Sequence, residues 1–187
     1  MQDLLDALAS GDDERAENCI PAIVDLGAAV IPPLLELTRA RDADSRWWAV
    51  RALAASSHTC AAHLLPLLDD PAADVRAAAA LALCNHPHGD AIPALTKSLA
   101  DEDSLAASLA MTALVKIGKP ATESLIEVAS SAKMGARIFA LRALSEICDH
   151  RAIPVLMRSM SEESAVLQYW AQIGLERLGL DMVYIKP

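Results

Sequence analysis

The chain has 187 residues, with 16 lysines and arginines against 25 aspartates and glutamates, a formal charge of −9. That acidity argues against a nucleic-acid groove built on phosphate neutralisation and against an electrostatic grip on anionic membranes. The opening Met1-Gln2-Asp3-Leu4-Leu5-Asp6 lacks a signal peptide's basic region, and no apolar run nears the roughly 18 residues of a spanning helix. The four cysteines (Cys19, Cys60, Cys84, Cys148) form neither a CxxC pair nor a dense framework, so a reducing, cytoplasmic setting is expected.

From the N-terminus onward a small residue followed by an aliphatic one keeps returning. Ala22-Ile23, Ala52-Leu53, Ala82-Leu83, Ala113-Leu114, Ala143-Leu144 and Gly174-Leu175 follow one another at steps of 30, 30, 31, 30 and 31 residues. Self-similarity at this period marks a solenoid, in which each unit buries its apolar face against its neighbours. Six helical hairpins are predicted, over approximately 1–27, 28–57, 58–88, 89–118, 119–149 and 150–180, in one domain with a tail at 181–187. Nineteen residues before each anchor stands a leucine (Leu4, Leu34, Leu64, Leu95, Leu125, Leu156), predicted to lie on the first helix. Four before stands a small residue (Cys19, Ala49, Ala79, Ala110, Ala140, Ala171), predicted to let the two helices of a hairpin approach closely.

The punctuation agrees. Ile31-Pro32, Ile92-Pro93 and Ile153-Pro154 place proline in a first helical turn, where its missing N–H is not needed. Gly27, Gly118 and Gly179 stand four residues past their anchors, where second helices should stop. Asp70 to Arg76 reads as a turn followed by an aspartate cap. Pro66 in a first helix and Pro21 in a second predict a kink or a shortened helix at each. The position five before the anchor is polar only in the first unit (Asn18), and that three before only in the last (Gln172). A capped array is therefore expected, with the tail 181–187 as an additional cover.

Ala152-Ile153-Pro154-Val155-Leu156 and Asp74-Val75-Arg76-Ala77-Ala78-Ala79 resemble HEAT repeats, in particular the short alanine-rich type of phycobilisome lyase subunits. The resemblance runs over about 3–180 and implies an all-α, right-handed solenoid, an armadillo-like α-α superhelix. It also implies one functional alternative: a bilin lyase or phycobilisome-processing subunit or chaperone, in contact with an open-chain tetrapyrrole or a phycobiliprotein. Catalytic HEAT-like proteins of the deoxyhypusine hydroxylase kind carry His-Glu pairs, and this chain has no His-Glu.

In HEAT arrays the side of the second helix opposite the small residue lines the concave groove. Here the positions six before, two before and one after the anchor hold Trp47, Arg51, Leu81, Ile138, Arg142, Tyr169 and Ile173 among others. A solvated face would be charged, whereas aromatic, aliphatic and arginine side chains are the types enriched at protein interfaces. Two readings stand: a groove for a peptide or protein surface, with Arg51 and Arg142 selecting an acidic or carbonyl-rich partner, or side chains buried against one another by strong curvature. The same stripe would also serve homo-oligomerisation.

Arg46, Arg76 and Arg137 repeat seven before the anchor, with Asp44 and Asp74 two residues earlier. They predict a ladder of ion pairs and caps between repeats, with an acidic-ligand clamp as the alternative. His58, Cys60, His63, Cys84, His86 and His88 have zinc's donor types, but their spacing matches no known finger. His58, His63, Cys84, His86 and His88 are kept as weak metal candidates, with turn and cap roles preferred. No nucleophile elbow, phosphate loop or paired carboxylates stand out. The function expected from sequence is a non-catalytic protein-interaction scaffold that needs no cofactor.

Overall fold

The computed structural model describes residues 1–180, all helices and turns, and the expected covering role of the tail at 181–187 lies outside the described residues. Among the described residues, twelve α-helices alternate as first and second members of hairpins. The first members are α1 (Gln2–Leu8), α3 (Ile31–Leu37), α5 (Ala61–Leu64), α7 (Ile92–Ser98), α9 (Thr122–Ser131) and α11 (Ile153–Ser159). The second members are α2 (Asp13–Asp25), α4 (Ala43–Ala55), α6 (Ala73–Asn85), α8 (Ser104–Ile117), α10 (Met134–Ile147) and α12 (Ala165–Arg177). The chain separates into two compact units, Met1–Ala91 and one that begins at Ile92. In the first, α4 packs between α2 and α6; in the second, α10 packs between α8 and α12.

The repeating residues are the packing residues. All six anchors, from Ile23 to Leu175, are inaccessible or nearly so, and so are the first-helix leucines from Leu34 to Leu156. Burial of such a side chain stabilises by about 1.5–3 kcal/mol. Ala49, Ala79, Ala110, Ala140 and Ala171 are fully buried. Hairpin 1 is looser, with Leu4 half-buried.

Second helices start on aspartate in three cases. Asp12 accepts a hydrogen bond from the Arg15 amide at 3.0 Å, Asp42 from Ser45 at 2.7 Å and Asp103 from Ala106 at 2.8 Å. The cap expected after Asp70 is a correction: α6 starts at Ala73, with Ala72 at its cap and Asp74 already inside the first turn. Asp70 itself accepts from the Ala72 amide at 2.8 Å and binds Arg46.

Helix ends follow the glycines. Gly27, Gly118 and Gly179 all have positive φ. The fifth repeat has Cys148 at this position, and Cys148 adopts the left-handed conformation at φ 53° and ψ 48°. Pro66 shortens its helix as expected: α5 gives way to a 3₁₀ segment, Leu65–Asp69. Pro21 does not, because α2 runs unbroken through it. Pro21 and Glu17, whose carbonyl loses its partner there, are both exposed, so water can take the place of the missing N–H.

Polar side chains join consecutive repeats. Arg46 forms a bidentate pair with Asp70 of the next repeat at 2.7 and 2.8 Å, and donates to the carbonyls of Ala40 and Arg41. Asp44 is not its partner. Arg76 donates to the carbonyls of Asp70 and Pro71, while Arg137 binds the Ala129 carbonyl and Glu162. Arg151 holds Asp149 at 2.7 Å, Glu123 at 3.0 Å and the Lys119 carbonyl at 2.8 Å. Of the repeated arginines, Arg46 and Arg137 thus pair with carboxylates of the next repeat, while Arg76 binds carbonyls of its own.

Candidate functional site

The side of the second helices turned away from the small residues carries the seven stripe residues. Trp47, Arg51 and Leu81 lie on the first unit; Ile138, Arg142, Tyr169 and Ile173 lie on the second. On the first unit α4 brings Arg51 to Glu17 of α2 at 2.9 Å, so positions two and six before the anchor of adjacent repeats are contiguous. Trp47 stands edge-on to Trp48 with ring centres 4.8 Å apart, and Trp48 donates to Asp13 at 3.3 Å. The buried Trp48 thereby fixes the half-buried Trp47. Leu81 is 52% exposed.

On the second unit the Arg142 guanidinium lies 5.2 Å from the centre of the Trp170 ring and 3.3 Å from Glu146. Tyr169 stands edge-on to Trp170 at 5.1 Å and is 57% exposed. Both arginines that sequence offered as selectors of an acidic partner are therefore engaged within the chain, Arg51 with a carboxylate and Arg142 with a ring and a carboxylate.

Three further residues extend the apolar surface of the second unit. Leu105, Met134 and Val166, at the starts of α8, α10 and α12, are 57, 50 and 47% exposed. Leu105 and Val166 stand nine residues before their anchors, seven before position minus two. Seven residues are nearly two turns, which puts them on the same face. Sequence reasoning missed them because it followed only positions minus six, minus two and plus one. The signal was available in the change at minus nine from Glu14, Asp44 and Asp74 to Leu105, Gly135 and Val166.

The histidines and cysteines do not gather. Among the described residues no three His, Cys, Asp or Glu side chains come together as a metal site. His58 lies against Gly27, where an added Cβ would stand 3.5 Å from Nε2. His63 Nδ1 accepts from the Cys60 amide, His86 Nε2 lies 3.2 Å from the Ala54 carbonyl and His88 Nδ1 accepts from the Asp90 amide. Cys84 Sγ donates to the Ala80 carbonyl. Among the described residues, no helix is long and apolar enough to cross a membrane.

The HEAT repeats model matches residues 61–132, and the PBS lyase HEAT-like repeat model matches residues 136–162. Those two stretches thus match HEAT-type repeats, the second of them of the phycobilisome-lyase type. A phycobilisome maturation protein of Synechococcus elongatus is 35% identical over 105 residues, 56% of this chain and 50% of that protein. A phycocyanobilin lyase subunit beta of Nostoc sp. is 34% identical over 99 residues, 53% of this chain and 48% of that protein. The matched part spans about half the length of these curated relatives. Among solved structures, an engineered protein is 25% identical with a TM-score of 0.54, covering 95% of each chain. A designed armadillo repeat protein in complex with the peptide (KR)4 is 19% identical with a TM-score of 0.55, over 94% of this chain and 98% of that one. This likeness shows the fold alone: an all-α repeat solenoid.

Proposed function

We propose that this chain is a docking subunit in phycobilisome maturation, and that the exposed faces of its second helices hold a phycobilisome polypeptide. One observation carries the reading. Leu105, Met134, Val166 and Tyr169 form a row of large, exposed apolar side chains on three consecutive second helices, where a solvated helix face would be charged. Aromatic and aliphatic anchors on a rigid scaffold suit protein binding, and Trp47 and Leu81 offer the same on the first unit. The names of the two curated relatives supply the process. The role assigned to the chain's own residues is holding a partner; bond-making chemistry is assigned to none of them.

The experiment is capture of dissociated phycobilisome polypeptides by the immobilised chain, beside Leu105→Ser/Val166→Ser/Tyr169→Ala. All three residues are largely exposed, so the fold should survive, which circular dichroism checks. Retention by the native chain and loss of at least about tenfold in the variant is expected, equivalent to about 1.4 kcal/mol for the three side chains together. Equal retention by both rejects this face.

A second reading has its own observation. Arg142 over the Trp170 ring, beside the exposed Tyr169, offers flat apolar surface and a cation, which suit a conjugated tetrapyrrole. In this reading the chain handles the bilin itself, as a lyase subunit would. Titration with phycocyanobilin would then change its red absorbance with the native chain and not with Arg142→Ala/Tyr169→Ala.

A further inference from the structure

Two of the six repeats carry an aromatic pair at the positions six and five before the anchor, Trp47-Trp48 in the first unit and Tyr169-Trp170 in the second. In both the rings stand edge-on, with centres 4.8 and 5.1 Å apart and planes at 89° and 76°. In that geometry the positive edge of one ring meets the negative face of the other. In the other four repeats the same positions hold Glu17-Asn18, Ala77-Ala78, Ser108-Leu109 and Ile138-Phe139, yet their anchors are buried as deeply. Packing of a repeat therefore does not require the pair. Each tryptophan at minus five is in turn held by a polar side chain of the preceding second helix. Trp48 of α4 donates its indole N–H to Asp13 of α2 at 3.3 Å. The Arg142 guanidinium of α10 lies over the Trp170 ring of α12, 5.2 Å from its centre, and is held from one turn further along α10 by Glu146 at 3.3 Å. The more exposed member of each pair is the residue at minus six, Trp47 or Tyr169.

We infer that the preceding repeat positions each outer ring through the tryptophan behind it: Asp13 acts on Trp47 through Trp48, and Arg142 acts on Tyr169 through Trp170. Asp13 and Arg142 are thus positioning residues for two anchors of the docking face, a role that rests on the docking function above. An aromatic side chain free to rotate gives up that freedom when a partner covers it, and the loss weakens binding. A ring already held edge-on has less to give up. The cation over its face holds the Trp170 ring as the Asp13 carboxylate holds the Trp48 indole. The arrangement also gives Arg142 a task that needs no acidic group on the partner.

The test is a double-mutant cycle on capture of dissociated phycobilisome polypeptides, with Arg142→Gln, Tyr169→Ala and the two combined. Arg142→Gln should weaken retention about two- to tenfold, the worth of one edge-on aromatic pair, and should add nothing once Tyr169 is replaced. Arg142→Lys, which keeps a cation for the ring, should recover most of the loss. A measurement that needs no partner accompanies the cycle. Near-UV circular dichroism reports rings held in fixed surroundings, so Arg142→Gln and Asp13→Ala should each lower it at unchanged far-UV signal. Asp13→Asn, which keeps the accepting oxygen, should leave it as in the native chain. Near-UV spectra unaltered by Arg142→Gln and Asp13→Ala overturn the inference. Losses that add in the cycle also overturn it, because they give Arg142 its own contact with the partner. If either happens while Leu105→Ser/Val166→Ser/Tyr169→Ala still loses a polypeptide that the native chain retains, the docking function stands and only the positioning role is rejected. Retention of nothing by the native chain rejects the docking function, and the near-UV spectra then decide whether Asp13 and Arg142 hold the rings.

Discussion

At the scale of single residues, stability concentrates in the polar joints between repeats and in the backbone at helix ends. Burial raises the Asp70 carboxyl, but the Arg46 hydrogen bonds, the Ala72 amide and the Arg46 and Arg76 charges outweigh it and hold the group below its ordinary value. A depressed folded value means that the pair contributes its stability above the unfolded value, about pH 4, and loses it as the pH falls through the depressed one. Both side chains are nearly inaccessible, so Asp70→Asn leaves Arg46 charged and enclosed. It should cost about 3 kcal/mol in urea unfolding at neutral pH and flatten the loss of stability below about pH 4. An unchanged acid profile in the variant would show that Asp70 is not the group responsible. Backbone effects take opposite signs at two equivalent ends. Cys148→Gly should stabilise by about 1 kcal/mol, because a side chain pays a steric penalty in the left-handed region. Gly118→Ala should destabilise by about 1–3 kcal/mol, because φ 79° with ψ −141° is close to glycine-only territory.

Among the helices, the small residue four before each anchor sets how closely a hairpin closes. Ala110 is fully enclosed, so Ala110→Leu should overpack the α7–α8 hairpin and cost about 1–3 kcal/mol or more, read as a lower urea midpoint. Much of this level was legible in the sequence because packing repeats: the same residue types return at anchor, minus four and minus nineteen, and each copy checks the others. Features occurring once were not legible. The uninterrupted path of α2 through Pro21 depends on exposure, which no periodicity reports. The partner of Arg46 is Asp70, 24 residues away in the next repeat, and periodicity predicted a pair between repeats without naming that carboxylate. The proposed face was legible only as a helical wheel, from which Trp47, Leu81, Ile138, Tyr169 and Ile173 follow. Leu105, Met134 and Val166 emerge once exposure is known.

For the whole molecule, the proposed docking rests on the exposed Leu105, Met134, Val166 and Tyr169 of the second unit, with Trp47 and Leu81 on the first. Recognition of the fold needed only the buried positions, and the HEAT repeats and PBS lyase HEAT-like repeat models match over residues 61–132 and 136–162. The partner is encoded in exposed positions that packing does not constrain, which is why the periodic pattern is silent about it. The most direct measurement is capture of dissociated phycobilisome polypeptides by the native chain and by Leu105→Ser/Val166→Ser/Tyr169→Ala, with circular dichroism confirming equal helicity. The account predicts a polypeptide retained by the native chain and lost, by about tenfold or more, by the variant. Equal retention by both, or retention by neither, would contradict it.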